Sequence, residues 1–198
     1  AAVLVSDNRD GGRMAAQHLQ DLGHRDVLVL GPTSDLQTSV QRGEGFLAAW
    51  RMGGGGPVTI ADGGFTSDGG QTATRVHLAG LLDGRLTAIF AVNDEMALGA
   101  LRELRAHGVA VPQQVSVMGF DDISSAQNTV PALTSVHQDV TGLGETAAEV
   151  LLAILRTSEQ PVESRITLPV RLVVRDSTAV GRPRSLTAAA PASADAPR

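Results

Sequence analysis

TAIFAVNDEMALGALRELRAHGVAVPQQVSVMGFDD, residues 87–122, sets two short apolar runs on either side of a helical segment. Residues 87–92 form a short apolar run that halts at Asn93 and Asp94, and residues 115–120 form a second that halts at Asp121 and Asp122. Residues 95–107 between them read as a helix. Buried strands of roughly four to seven residues, separated by helices of about ten or more and joined by short polar connectors, make right-handed βαβ units on a parallel sheet. The unit predicts an α/β protein.

The same alternation continues outward. Upstream, Val3, Leu4 and Val5 lead through Ser6, Asp7, Asn8, Arg9, Asp10, Gly11 and Gly12 into a helical pattern with apolar Met14, Ala15, Leu19 and Leu22, which stops at Gly23. Residues 27–30 read as a buried strand ending at Gly31 and Pro32, residues 39–51 as helix, 58–61 as strand and 71–82 as helix, with a surface turn at 53–56. Beyond Pro131 the order changes to a brief extended stretch at 134–136, a long amphipathic helix at 141–156 and a β-rich segment at 165–174. The last residues are rich in alanine, proline and serine and carry too few large apolar groups to offset their ordering entropy, which predicts a disordered tail over 179–198.

Composition prunes the chemistry. A hydrophobic fraction of 42% is enough for a buried core, and the sequence has neither a run of roughly 20 apolar residues for a membrane helix nor a signal-like start, so a cytoplasmic setting is expected. The absence of cysteine removes disulfides, thiolate nucleophiles and cysteine-held metals. All 16 basic residues are arginine and tyrosine is absent, which excludes a P-loop lysine, a Schiff-base lysine and a tyrosine–lysine dehydrogenase pair. A net charge of -5 argues against this stretch gripping nucleic acid by itself. The histidines lack metal-ligand spacing, and no cofactor is expected.

In open parallel sheets ligands bind beyond the carboxyl ends of the strands, so the polar groups there are the candidates: Asn93 and Asp94, Asp121 and Asp122, and Asn8 with Asp10. Carboxylates and amides suit a polyhydroxylated ligand because each can engage adjacent hydroxyls, an arginine such as Arg42 adds a rigid donor fork, and a ring such as Phe65 can cover the apolar face of a sugar. The competing reading is that Asp and Asn after a strand simply cap the next helix, for which Asp94 before Glu95 is well placed. Asp121 and Asp122, neighbours on extended backbone, should point opposite ways, which disfavours a shared-proton pair.

Several segments in order resemble the effector-binding domain of LacI/GalR-family bacterial transcription regulators: SDNRDGGRMAAQHLQDLGHRDVLVLGP, SVQRGEGFLAAW, the 91–122 run, PALTSVHQDVTGLGETAAEVLLAIL and LPVRLVVRDST, together covering residues 3–178. The resemblance implies a periplasmic-binding-protein-like type I fold, two doubly wound parallel-sheet lobes crossed three times by the chain, with a ligand cleft between them. It assigns residues 1–32 and 138–160 to the amino-terminal lobe and residues 33–137 and 161–178 to the carboxyl-terminal lobe. It also marks Arg42, Phe65, Asn93, Asp121 and Gln138 as effector contacts, with Asp10 a sixth from the opposite lobe, although Gly64 stands where the family usually has an acidic residue.

What the resemblance implies for function is a small-molecule sensor, for a sugar or sugar derivative, in a homodimer that reaches operator DNA only through a helix-turn-helix headpiece not contained in this sequence, and that acts by lobe reorientation without catalysis. With the opening of the amino-terminal lobe also missing, residues 3–5, residues 27–30 and the helix face at Val150, Leu151 and Ile154 should lack partners, leaving the chain poorly stable or prone to associate. A transporter's sugar-binding protein of the same fold, and an α/β hydrolase using Asp121 or Asp122 as base, are the alternatives weighed.

Overall fold

The computed structural model describes residues 2–31, 36–157 and 164–182. Its main body is a six-stranded sheet in the order β3-β2-β4-β5-β6-β8, built from β2 (Val27–Leu30), β3 (Val58–Ala61), β4 (Ala88–Ala91), β5 (Ser116–Asp121), β6 (Thr134–Gln138) and β8 (Val170–Val173). The pairings from β3 through β6 are parallel and β8 joins β6 antiparallel. A separate two-stranded parallel sheet pairs β1 (Ala2–Ser6) with β7 (Ser164–Leu168). The α/β class and the succession of strands agree with the sequence.

Helices α1 (Asn8–Asp21) and α2 (Gln37–Met52) pack together over one face of the large sheet, and α3 (Ser67–Val76) packs on α5 (Asp94–Ala106) over the other. The alternation of β5 makes this division visible, because a Cβ on Gly119 would meet Asp94 of α5, whereas Phe120 lies against Gly11 of α1. Gly12 and Gly45 set how closely α1 and α2 approach: a Cβ at Gly12 would fall on the Arg42 carbonyl, and one at Gly45 on the Arg9 carbonyl. Residues 27–30 and 88–91 are wholly buried, consistent with central strands covered on both faces. Phe46 stacks on Phe90 and Trp50 at centroid separations of 4.7 and 5.5 Å, closing the α2 side of this core.

The sheets correct the expected partition. Residues 27–30 pair with β3 and β4, and α1 packs on α2, so the large-sheet body begins just after Ser6 and not after residue 32. The expectation that residues 27–30 lack partners fails for the same reason, while Val3 at 49% and Leu151 at 56% exposure do remain open. The 165–174 segment is two strands that change sheet around Pro169, with β7 on β1 and β8 on β6. Helix α6 (Val140–Thr157) touches β1, as expected for a helix returning to the smaller sheet. The helix expected at 71–82 starts earlier and is broken at His77, where α3 gives way to α4 (Leu78–Leu82).

Residues 179–182 are not a free tail. Ala179 exchanges hydrogen bonds with the Ser116 hydroxyl, and the Gly181 amide donates to the Leu22 carbonyl at 2.7 Å. The rest of the predicted tail, 183–198, and the lobe boundary at 32–33 lie outside the described residues. Among the described residues no helix is long and apolar enough to cross a membrane.

Candidate ligand-binding site

The chain passes between the sheets at Ser6–Asp7, after Gln138 and around Pro169, and these crossings lie side by side: the Asp7 amide donates to the Leu168 carbonyl at 2.9 Å, and the Ser6 hydroxyl donates to Gln138 Oε1 at 3.0 Å. Asp7 and Asp139, directly after two of the crossings, accept from the amides of Asp10 and Gly142 and start α1 and α6. The crossings therefore stand at the carboxyl ends of the large sheet's strands, where polar side chains converge.

Arg42 is at the centre of them. Its guanidinium is 3% exposed as a residue, lies 3.8 Å from the Phe120 ring centroid, and donates to Asn8 Oδ1 at 2.9 Å and the Val92 carbonyl at 2.7 Å. It also forms an ion pair with Asp121 Oδ1 at 2.8 Å. Gln138 Nε2 donates to the same carboxylate oxygen at 2.8 Å. Arg42 and Gln138, 96 positions apart in the chain, are thus joined through Asp121, all three being residues expected in the cleft. Burial works against both charges: it lowers the Arg42 pKa despite Asp121, and raises that of Asp121 despite Arg42.

Asn93 and Phe65 form a neighbouring pair. Asn93 is nearly fully buried and caps α5, its Oδ1 accepting from the Met96 amide at 2.9 Å while its Nδ2 donates to the Phe65 carbonyl at 3.0 Å. The capping explanation holds for Asn93 and not for Asp94, the residue expected to cap. Phe65 is half-buried with φ of 60°, so its backbone turns sharply before α3. Asp10 departs from expectation: it sits on α1, on the large-sheet body and not on the opposite side, and its carboxylate is engaged by Arg13 Nε at 2.6 Å.

Asp121 and Asp122 enter separate ion pairs, as expected, but on a kinked backbone with φ of 117° and 58° and not on an extended one. Asp122 accepts from Arg175 at 2.6 Å and from His137 Nδ1 at 3.0 Å. Of the two candidates after the first strand, Asn8 meets Arg42 and Asp10 does not, while the resemblance marks only Asp10. Ser6 and Ser135 are the neighbours of the site that carry no signal in the sequence. Asp94 is wholly buried, takes the Ser135 hydroxyl at 2.6 Å and the Ile123 amide at 2.9 Å, and has its pKa raised to about 7, chiefly by desolvation.

The sequence profile of the periplasmic binding protein-like domain matches residues 16–178. The chain is 36% identical over 173 residues to the HTH-type transcriptional regulator CelR of Thermobifida fusca, covering 86% of this chain and 50% of the regulator. It superposes on a LacI family transcriptional regulator from Enterococcus faecium with bound ribose at a TM-score of 0.82 and 32% identity, covering 91% of this chain and 66% of the other. The chain belongs to the LacI family of periplasmic-binding-protein-like regulator domains. A structure described as the transcriptional regulator CelR–cellobiose complex matches this LacI-family chain at a TM-score of 0.79 and 36% identity, over 89% of this chain and 54% of that one. The LacI-family chain spans about half the length of the curated relatives it matches.

In chemical terms the cluster offers both hydrogen-bond donors and acceptors. Asp121 offers carboxylate lone pairs, Arg42 a fork of N–H donors and Gln138 both a donor and an acceptor, and each is already oriented by a neighbour. Among the described residues no group of three or more His, Cys, Asp or Glu side chains could hold a metal ion.

Proposed function

We propose that this chain is the effector-sensing domain of a LacI-type transcription regulator, and that its effector is a neutral, polyhydroxylated small molecule, a sugar or sugar derivative. The observation that carries the reading is the convergence of Arg42, Asp121 and Gln138 at the place where the chain crosses between its two sheets. Asn93 and Phe65 border this group, and Asn8 replaces Asp10 as the contribution from the start of α1. Relatives solved with ribose and with cellobiose support the ligand class.

The mechanism follows from the position of the cluster. A ligand that takes the lone pairs and donors of Asp121 and Gln138 competes with bonds that now tie the second crossing to the first, so its binding energy differs between orientations of the two sheets. Only that difference can shift the equilibrium, and a coupling of about 1–3 kcal/mol suffices for a switch. In the complete regulator, a homodimer in this reading, the reorientation alters the spacing of two DNA-binding headpieces and hence operator affinity. No covalent bond is made or broken.

The experiment is a thermal-shift screen of the chain against ribose, cellobiose and other neutral sugars, repeated with Asp121→Asn and Gln138→Ala. A ligand at a hundred times its dissociation constant should add about 2.7 kcal/mol of stability, visible as a Tm several degrees higher. The shift should vanish in Asp121→Asn; a sugar that stabilises that variant as well as the parent chain places its site elsewhere.

A further inference from the structure

The turn that carries Asp121 is held by a residue that a ligand in the cleft cannot touch. Asp121 and Asp122 have φ of 117° and 58°, in a region that residues with side chains enter only when their surroundings hold them there. The amides that follow this kink converge on one buried assembly. The Ile123 N–H donates to Asp94 Oδ2 at 2.9 Å, the Asp122 N–H donates to Ser135 Oγ at 3.1 Å, and the Ser135 hydroxyl donates to Asp94 Oδ1 at 2.6 Å.

Asp94 and Ser135 are both completely buried, and a Cβ on Gly119 would collide with the Asp94 carboxylate, so the absence of a side chain at 119 is what lets that carboxylate lie beneath the end of β5. Asp94 is not the cap of α5, because Asn93 fills that role. Both its oxygens are engaged, one by the backbone beyond the kink and one by the hydroxyl that holds the kink's own amide. Burying a carboxylate is costly, and gathering these groups is the task to which this one is committed.

We infer that Asp94, acting through Ser135, is a positioning residue for ligand binding: it fixes the left-handed Asp121–Asp122 turn and thereby aims the Asp121 carboxylate at Arg42 and at the ligand. The inference rests on Asp121 being a ligand contact, as proposed above. It assigns Asp94 no contact with the ligand.

Three variants test it. Ser135→Ala removes the acceptor for the Asp122 amide, Asp94→Ala removes the acceptor for Ile123 and the partner of Ser135, and Asp94→Asn retains an amide oxygen for Ile123 with an N–H that can meet Ser135. The first readout is amide hydrogen exchange in the ligand-free chain at Asp122 and Ile123, with Phe90 in β4 as internal reference. The second is the dissociation constant for D-ribose and for cellobiose by calorimetry. Ser135→Ala and Asp94→Ala should speed exchange at the two turn amides by about tenfold or more with Phe90 unchanged, and should weaken whichever sugar binds by about tenfold, whereas Asp94→Asn restores both to within about threefold of the parent.

Unchanged exchange at the turn, acceleration of equal size at Phe90, or an affinity loss in Asp94→Asn as large as in Asp94→Ala would each overturn the inference. If Asp94→Ala does not fold, Ser135→Ala decides. Sugar affinity that survives Asp121→Asn refutes the ligand-contact reading instead, and the exchange data from the ligand-free chain still decide whether Asp94 and Ser135 hold the turn.

Discussion

Replacing Arg42 with methionine keeps an apolar stem of similar length and deletes the guanidinium. In the parent chain that group serves Asp121 at 2.8 Å, Asn8 at 2.9 Å and the Val92 carbonyl at 2.7 Å, so Asp121 would retain only Gln138 as a side-chain partner. Removing one member of a buried ion pair costs about 3–5 kcal/mol, and because the Asp121 side chain keeps 21% exposure the expected loss at pH 8 is near the lower end, about 3 kcal/mol. Burial already raises the Asp121 pKa and Arg42 is the largest influence opposing it, so the variant's carboxyl moves further up.

The sign of the pH dependence follows. A carboxyl whose folded-state pKa exceeds its unfolded value is neutral in both states at low pH, where it costs nothing, and its penalty is complete once the pH passes the folded value. The destabilisation by Arg42→Met should therefore be smaller at pH 5 than at pH 8, because the penalty on the ionised carboxyl is only partly present at pH 5 and complete at pH 8. Urea unfolding followed by the fluorescence of Trp50, which is the one tryptophan of the sequence and wholly buried, measures both values. A loss below about 1 kcal/mol at pH 8, or the same loss at both pH values, would refute the picture of a desolvated pair.

Three further outcomes are expected. Asp94, with its pKa raised to about 7, makes the parent chain less stable as pH rises from the ordinary carboxyl range through neutrality; Asp94→Asn cannot ionise and should gain on the parent between pH 5 and pH 8, whereas parallel stability curves for the two would show that this carboxyl is not raised. Gly12→Ala drives a methyl group into the backbone of α2 and should cost about 1–3 kcal/mol, read as a lower urea midpoint; a midpoint like the parent's would mean that α1 and α2 are not so closely apposed. Ending the chain at Thr178 removes the bonds of Ala179 to Ser116 and His24 and of Gly181 to Leu22, and should lower stability by about 1–3 kcal/mol in the same assay, an effect a free tail would not have.

Most of the strands and helices, and their order along the chain, can be read from local sequence, although 71–82 and 165–174 each divide into two elements. A strand such as 58–61 and a helix such as that at 94–106 announce themselves because apolar spacing repeats over a few residues, and Asp121 was legible because polar residues at strand ends have a restricted set of uses, whereas Gln138 and the role of Arg42, on a helix, came from the family resemblance. Which sheet a strand joins was not legible. VLV at 3–5 and VLVL at 27–30 are nearly the same run, yet the first pairs with β7 and the second is covered on both faces between β3 and β4.

Only the tertiary structure could separate Asn8 from Asp10. They lie two positions apart on α1, about 200° around its axis, and the packing of α1 against α2 turns one toward Arg42 and leaves the other to Arg13. The same holds for Asp94 and Ser135, which sit 41 positions apart and meet only because α5 lies over Gly119 beside the β5–β6 pair. Local periodicity is set by bonds between near neighbours in the chain. Partners are set by which surfaces remain uncovered once the sheet has formed, and that depends on every strand at once.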